Sequence, residues 1–116
     1  GGLIETFSDV QENLDISDVL KKKNVFALTV NGDSMIDACI ADGDMVLMEP
    51  IKGFELIKNG TIVSAMVAGS GTTLKYFFRK GNQIVLEAAN QNYDPIKLEP
   101  DEVTIQGRLL AVWRKI

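Results

Sequence analysis

The strongest constraint on the fold is an alternation of apolar residues near the end of the chain. Between positions 103 and 114 the even-numbered residues are mixed, whereas the odd-numbered ones are Val103, Ile105, Gly107, Leu109, Ala111 and Trp113. A period of two places such residues on one face of a β-strand. The pattern predicts a single long strand over 103–114 with one apolar face. Gly107 inside the strand predicts a bulge or a bend.

Other segments favour β-structure as well. Apolar and β-branched residues concentrate in 26–30, 45–48, 61–67, 72–79 and 83–88. The segment 61–67 is almost entirely apolar or small, which predicts burial on both faces. Lys80-Gly81-Asn82 predicts a hairpin with three loop residues. The residues therefore predict a mainly β fold in one domain, as expected for a chain of 116 residues.

One short helix is predicted before the first strand. Ser17 can cap its start and Asp18 lies in its first turn, while Lys21, Lys22 and Lys23 lie at its end. These charges complement the helix dipole. Asn24 can close the helix in a left-handed conformation. The three lysines could instead form a patch for an anionic surface, although a solvated helix end fits the acidic chain better.

The composition excludes several kinds of site. The chain contains no His, which excludes Ser-His-Asp and Cys-His catalytic sites and every His-ligated metal. The net charge of −4 argues against nucleic-acid binding by this chain alone. No run of about 18 apolar residues and no signal-peptide pattern occurs, so we expect no membrane association.

Cys39 and the acidic residues that surround it are interpreted as structural. A single cysteine forms no internal disulfide, which is compatible with a cytoplasmic location, and Cys39 is predicted to be a small buried residue. Asp33, Asp37, Asp42 and Asp44 lack the spacing of a calcium loop. Asp42-Gly43-Asp44 predicts a turn, with Asp37 as a local cap. We expect no metal and no cofactor.

A candidate nucleophile lies in the segment 30–37. A strand ends there, Gly32 permits a sharp turn, and Ser34 follows with backbone N–H groups around its hydroxyl. Gly-Asp-Ser is also a common loop sequence, so this segment alone is weak evidence. Because the chain has no His, a base for Ser34 must be Asp, Glu or Lys.

Lys75 is the lysine best suited to act as that base. A lysine accepts a proton only when neutral, which requires apolar surroundings that lower its pKa. Lys75 lies in the middle of a predicted strand, with Thr73 and Phe77 on the same face. Lys97 also has apolar neighbours, but in a short segment between two prolines. An ordinary lysine on a solvent face or a sheet edge is the alternative, and the residues alone leave both open.

Two stretches of the chain together resemble the LexA-type family of self-cleaving serine peptidases. Gly-Asp-Ser-Met-Ile-Asp at 32–37, followed by Ile-Ala-Asp-Gly-Asp-Met-Val at 40–46, is similar to the nucleophile motif of that family. Thr73-Leu74-Lys75 resembles the strand that carries the family's lysine, and its distance along the chain from Ser34 is similar to the family's. Segments 91–96 and 107–114 resemble its last part, so the resemblance covers nearly the whole chain.

The resemblance implies a fold and a set of site residues. The fold is LexA/signal-peptidase-like, with several twisted, mostly antiparallel sheets and one or two short helices, in a single peptidase and dimerisation domain over 1–116. Ser34 is the implied nucleophile and Lys75 its base, with the backbone N–H groups of Asp33 and Ser34 as oxyanion donors. Gly1 is the implied remnant of an Ala-Gly cleavage site just upstream of this chain.

The resemblance also implies partners. Repressors of this type bind operator DNA through an N-terminal helix-turn-helix domain, which this chain lacks. They form homodimers through the last strand and cleave themselves when RecA filaments form on single-stranded DNA in the SOS response. A UmuD-type accessory subunit of a translesion polymerase shares the dyad, and a non-catalytic dimerisation domain is a third possibility. The start at Gly1-Gly2-Leu3 and the ending at 111–114 favour the repressor.

Overall fold

The computed structural model describes residues 24–115, which form a mainly β domain. Its strands are β1 (Phe26–Thr29), β2 (Met45–Pro50), β3 (Thr61–Val67), β4 (Gly71–Lys80), β5 (Gln83–Glu87), β6 (Ile96–Leu98) and β7 (Val103–Trp113). Two 3₁₀ turns lie at Ile36–Ala38 and Pro100–Glu102. The predicted mainly β, antiparallel fold is confirmed. The predicted helix before β1 lies outside the described residues, apart from Asn24, which has a φ of 64°.

The seven strands form one continuous sheet in the order β1-β2-β7-β3-β4-β5-β6, and every pairing is antiparallel. The family resemblance implies several sheets instead. The difference arises from β7, which has 11 residues. Its end pairs with β2 over 107–113, and its beginning pairs with β3 over 103–108. One long strand therefore joins what would otherwise be two sheets.

β7 turns different faces to the core along its length. The register shifts opposite Ser64/Ala65 and again opposite Leu47/Met48, which leaves Gln106 and Leu110 as extra residues on β7. Each bulge reverses the side to which the following residues point. The bulge predicted near Gly107 is confirmed, but the prediction of one apolar face along the whole strand is wrong.

Gly107 is required by close packing. A Cβ at this position would lie 2.7 Å from the carbonyl oxygen of Glu49 and 2.9 Å from the ring of Phe26. Neither distance is tolerated between non-bonded atoms, and one of the two groups is backbone. Glycine allows the Phe26 ring to lie directly against β7, a close approach that is typical of glycines inside strands.

Two hydrophobic clusters cover the sheet and position the site. The first contains Val63, Ala65, Phe77, Ile84, Leu86, Leu98 and Ile105. The second contains Met35, Ile40, Val46, Met48, Ala89 and Val112, with Ile62 packed against it. Val63 and Ile62, neighbours on β3, thus pack into different clusters, as predicted for a strand buried on both faces. Met66 is the exception, because it is 42% exposed. The second cluster anchors the segment around Ser34 through Met35.

Several local predictions are corrected. The β4–β5 hairpin has two loop residues instead of three, because Lys80 pairs with Gln83. Cys39 is exposed, because it ends the first 3₁₀ turn with a φ of 62° that directs it away from the core. Asp37 lies within that turn, which has no side-chain cap. Among the described residues, no helix has the length and apolarity needed to span a bilayer.

Candidate active site

The segment that carries Ser34 connects β1 to β2 and is closed by hydrogen bonds at its base. The Val30 N–H donates to the Asp44 carbonyl at 2.8 Å, and the Gly43 N–H donates to the Val30 carbonyl at 2.8 Å. Inside the loop, the Gly32 N–H donates to Asp42 Oδ1 at 2.7 Å. These bonds fix the turn that the sequence predicts at Gly32. They present Ser34 at the end of β1 beside β4.

Lys75 is buried in β4 and contacts Ser34. Only 7% of its surface is exposed. Its Nζ lies 2.9 Å from Ser34 Oγ, 2.6 Å from Thr73 Oγ1 and 3.1 Å from the Leu74 carbonyl oxygen. The structure therefore brings together the two residues that the sequence pairs. Lys97, the weaker candidate, lies exposed on β6.

The three contacts of Lys75 Nζ suit both of its protonation states. An ammonium has three N–H donors, one for each acceptor. A neutral amine has two N–H donors and one lone pair. Thr73 Oγ1 and the Leu74 carbonyl can take the two donors, which leaves the lone pair for the hydroxyl proton of Ser34. The site can therefore hold a proton on either side of the Ser34–Lys75 contact without a change in side-chain position.

Burial sets the electrostatics of Lys75. Desolvation lowers the pKa of the Lys75 ammonium, because a charged group loses hydration in the protein interior. The ion pairs between residues 24 and 115 are Arg108–Glu49 and Arg114–Asp44, and neither includes Lys75. Between residues 24 and 115 no ion pair of Lys75 opposes this effect, so the equilibrium is shifted toward the neutral amine relative to a free lysine.

A cavity of about 380 Å³ opens beside the Ser34–Lys75 contact. Its walls are formed by Leu28, Thr29, Val30, Asn31, Ser34, Met35, Val46, Thr72, Thr73, Leu74, Lys75 and Tyr93. Four consecutive β4 residues line it, although successive side chains of a strand point to opposite faces. The cavity therefore lies at the edge of β4, beyond the part that pairs with β5, which begins at Tyr76. An extended peptide can reach Ser34 along this edge.

The backbone around Asp33 is held by its own loop and by the loop between β5 and β6. The Asp33 carbonyl accepts from the Ile36 N–H at 3.2 Å and from Asn90 Nδ2 at 3.0 Å. Its carboxylate accepts from the Tyr93 hydroxyl at 2.5 Å, and this bond raises the pKa of Tyr93. Within residues 24–115, the N–H groups of Asp33 and Ser34 have no acceptor. They remain able to donate to a ligand.

Asp44 has a larger role than the turn predicted for it. Its side chain is 3% exposed, and its two carboxylate oxygens accept from Arg114 Nε at 2.8 Å and Nη2 at 2.7 Å. The Ala41 N–H also donates to Asp44 at 2.8 Å. The hydrogen bond from Arg114 holds the pKa of Asp44 below its usual value. Arg114 ties the end of β7 to the loop that carries Ser34, where it also donates to the Cys39 carbonyl at 3.1 Å.

Comparison with known proteins identifies the family. Residues 1–110 match the family model described as Peptidase S24-like. The chain belongs to the S24-like peptidase family. The family resemblance predicted from the sequence is confirmed.

Curated relatives of this S24-like chain are named as LexA. It is 43% identical over 116 residues to the LexA repressor of Paramagnetospirillum magneticum, covering 99% of this chain and 48% of the relative. It is 34% identical over 114 residues to the transcription regulator LexA of Synechocystis sp., covering 98% of this chain and 56% of the relative. The chain therefore spans about half the length of the curated relatives it matches.

Four further residues support the S24-like site. The sequence places Thr73 on the strand face of Lys75 but assigns it no role. Asn90, Tyr93 and Arg114 carry no sequence signal, because they contact residues 57 to 75 positions away. Gly1 lies outside the described residues.

Proposed function

We propose that this chain is the self-cleaving peptidase domain of a LexA-like repressor, with Ser34 as nucleophile and Lys75 as general base. The observation that carries the proposal is the 2.9 Å contact between Ser34 Oγ and the buried Lys75 Nζ at the wall of a cavity. Membership of the S24-like family supports a serine peptidase. The names of the relatives support a repressor over the UmuD-type alternative.

In the proposed reaction, neutral Lys75 takes the Ser34 hydroxyl proton as Oγ attacks the carbonyl carbon of an Ala-Gly bond. The N–H groups of Asp33 and Ser34 hold the oxyanion of the tetrahedral intermediate, at about 2.7–4 kcal/mol for each donor. The carbon–nitrogen bond then breaks, and Lys75 gives its proton to the leaving amine of Gly. A water molecule, deprotonated by Lys75, hydrolyses the Ser34 ester. Proton transfer through Lys75 contributes a factor of about 10²–10⁴.

The proposed biological role requires parts beyond the described residues. The scissile bond lies at Gly1, and an N-terminal helix-turn-helix domain binds operator DNA. RecA filaments on single-stranded DNA promote cleavage, which separates that domain from residues 1–116 and releases the repressed genes of the SOS response. The acidic charge of this chain fits a division of labour in which DNA binding belongs to the other domain.

Cleavage of the full-length protein tests this proposal. Incubation with RecA, single-stranded DNA and a nucleoside triphosphate is expected to give two fragments. Mass spectrometry should show that the C-terminal fragment begins at Gly1. Omission of the DNA is the control and should greatly slow the reaction. A cut at another bond would refute the assignment of Gly1. An uncut protein under these conditions would favour a domain that only dimerises.

The C-terminal part of β7 is proposed as the homodimer interface. β3 pairs with β7 only through Arg108, whereas the residues that follow pair with β2 on the other side. Met45 and Trp113 face each other across β2 and β7 and are 43% and 48% exposed. A strand edge beside exposed apolar residues suits a two-fold, self-complementary contact. Of the odd-numbered apolar residues near the end of β7, Ala111 is buried and Trp113 is 48% exposed.

Sedimentation velocity at micromolar concentration should therefore show a dimer. The Trp113→Lys variant should shift toward monomer, because two-fold symmetry brings two added charges near each other. Arg79→Met, on exposed β4 surface, is the control and should leave the dimer unchanged. A monomeric parent protein would contradict this interface.

A further inference from the structure

The loop between β5 and β6 reaches across the molecule to the segment around Ser34. Asn90 Nδ2 donates to the Asp33 carbonyl at 3.0 Å and the Tyr93 hydroxyl to Asp33 Oδ1 at 2.5 Å. The Ala89 carbonyl accepts from the Asp37 N–H at 2.8 Å. The loop also braces itself, since the Tyr93 N–H donates to the Asn90 carbonyl at 3.1 Å. A rigid loop thus holds both sides of the nucleophile segment.

The contact of Asn90 fixes the direction of the Ser34 N–H. The Asp33 carbonyl and the Ser34 N–H belong to one planar trans peptide, so they point in opposite directions. Two hydrogen bonds to the carbonyl, from Asn90 and Ile36, prevent the peptide from rotating. Ser34 lines the cavity, and its N–H has no acceptor within residues 24–115. The Ser34 N–H is therefore held in one direction, with no acceptor among residues 24–115.

Tyr93 holds the Asp33 carboxylate, which neighbours the Ser34 N–H in sequence, in a fixed position. The Asp33 carboxylate is one residue from Ser34, and a negative group that swung toward the cavity would repel an oxyanion. The hydrogen bond from the Tyr93 hydroxyl turns the carboxylate toward the β5–β6 loop. The Tyr93 side chain also forms part of the cavity wall.

We infer that Asn90 and Tyr93 are positioning residues for the oxyanion site: Asn90 orients the Asp33–Ser34 peptide, and Tyr93 keeps the Asp33 carboxylate away from the oxyanion. The inference rests on the proposed function of Ser34. Catalysis by such a site depends on donors that are already oriented before the charge develops. Neither residue touches Lys75 within the hydrogen-bond network described above, so each acts on the oxyanion without altering the base.

The Asn90→Ala variant of the full-length protein tests the inference. Its RecA-stimulated cleavage rate should fall by about 10- to 100-fold, below the 10²–10³ cost of removing an oxyanion donor outright, because the donor is misaligned but still present. The pH at which the rate is half-maximal should not move, because Lys75 is unchanged. Tyr93→Phe should slow cleavage several-fold with the same pH midpoint. A rate within twofold of the parent, or a shifted pH midpoint, would overturn the inference.

Asn92→Ala is the matched control. Asn92 lies in the same loop, is exposed, and contributes its backbone N–H to Asn90 Oδ1 at 2.9 Å, a contact that the substitution keeps. Its cleavage rate should equal that of the parent.

A measurement without cleavage separates this inference from the proposed function. The Ser34 amide resonance in a ¹H–¹⁵N spectrum should shift or broaden in Asn90→Ala and stay in place in Asn92→Ala. If the parent protein does not cleave but the resonance moves, the proposed function fails while the positioning contact holds. An unmoved Ser34 resonance in a folded Asn90→Ala protein would refute the contact, and Asn90→Asp, which removes the Nδ2 donor at nearly constant size, provides the same test should Asn90→Ala not fold.

Discussion

Lys75→Met is expected to abolish self-cleavage while leaving the domain at least as stable as the parent at neutral pH. Removal of a general base costs a factor of about 10²–10⁴, and removal of one member of a nucleophile–base unit costs up to about 10⁶. Stability is retained because Met has a similar length and needs no hydration. Thr73 and Leu74, which lose a hydrogen-bond donor, line the cavity and remain within reach of water.

The pH dependence of Lys75 follows from the direction of its pKa shift. Burial lowers the pKa in the folded state, so between the folded and unfolded pKa values the unfolded chain binds more protons. Raising the pH through that window therefore favours the folded state, and the penalty of the buried charge is complete below the folded pKa. Cleavage should also accelerate as the pH rises through the pKa of Lys75 in the folded state, since only neutral Lys75 accepts the Ser34 proton.

Urea unfolding of Lys75→Met at several pH values measures the stability effect, and Ser34→Ala is the matched comparison. Ser34→Ala should also abolish cleavage, but it should keep the rise of stability with pH that Lys75 causes. Lys75→Met should lose that rise. A Lys75→Met protein clearly less stable than the parent at pH 7 would mean that Lys75 is charged and paired in the fold, and the base assignment would have to be abandoned.

The residues alone made Lys75 the best candidate base for Ser34 but left an ordinary surface lysine open, and the family resemblance implied the pair. Without His, a serine nucleophile needs another base, and few lysines lie in the middle of an apolar strand. The alternation of that strand also places Thr73 beside Lys75. Asn90 and Tyr93 carry no such signal. Each reaches Asp33 only because β5 and β6 fold across the loop, and no local pattern encodes that contact.

The positions of the strands were predictable from the alternation of apolar residues. Which face of each strand lies against the core was not always predictable. A bulge adds one residue and reverses the following side chains. Gly107 marked the first bulge in β7, but its requirement comes from Phe26 and Glu49, which are remote in sequence. Nothing marks the second bulge at Leu110. Cys39 was wrongly predicted to be buried, because its backbone conformation is set by closure of the loop and not by its apolarity.

Breaking the Asp44–Arg114 pair from the arginine side is expected to destabilise the fold strongly. Arg114→Met leaves the Asp44 carboxylate, which is 3% exposed, with the Ala41 N–H as its one remaining donor among residues 24–115. Removal of one partner of a buried ion pair is strongly destabilising, and we expect a loss clearly larger than the ~0–1 kcal/mol of an exposed pair. Asp44→Asn should cost less, since the arginine that remains can reach water.

The two substitutions should also be non-additive and dependent on pH. The double variant should be more stable than the sum of the single changes predicts, because it leaves no unpaired buried charge. The pKa of Asp44 is lowered in the parent, so the pair stabilises the fold above the unfolded carboxyl pKa and loses this contribution as the pH falls through the folded pKa. In Arg114→Met, burial of the unpaired Asp44 carboxylate destabilises the fold, and protonation of the carboxyl removes this loss of stability. The stability gap between parent and variant should therefore narrow as the pH falls from 7 toward 3.

Arg108→Met, on β7, is the control. Arg108 pairs with Glu49 at 2.6 Å, but its side chain is 50% exposed, and exposed pairs contribute about 0–1 kcal/mol. Denaturant unfolding of Arg114→Met and Arg108→Met side by side therefore compares an arginine paired with a buried carboxylate and an arginine paired with a more exposed one. Equal losses would show that Asp44 is not held as a buried charge. A large loss only in Arg114→Met, shrinking with acid, would show that the end of β7 stabilises the loop that presents Ser34.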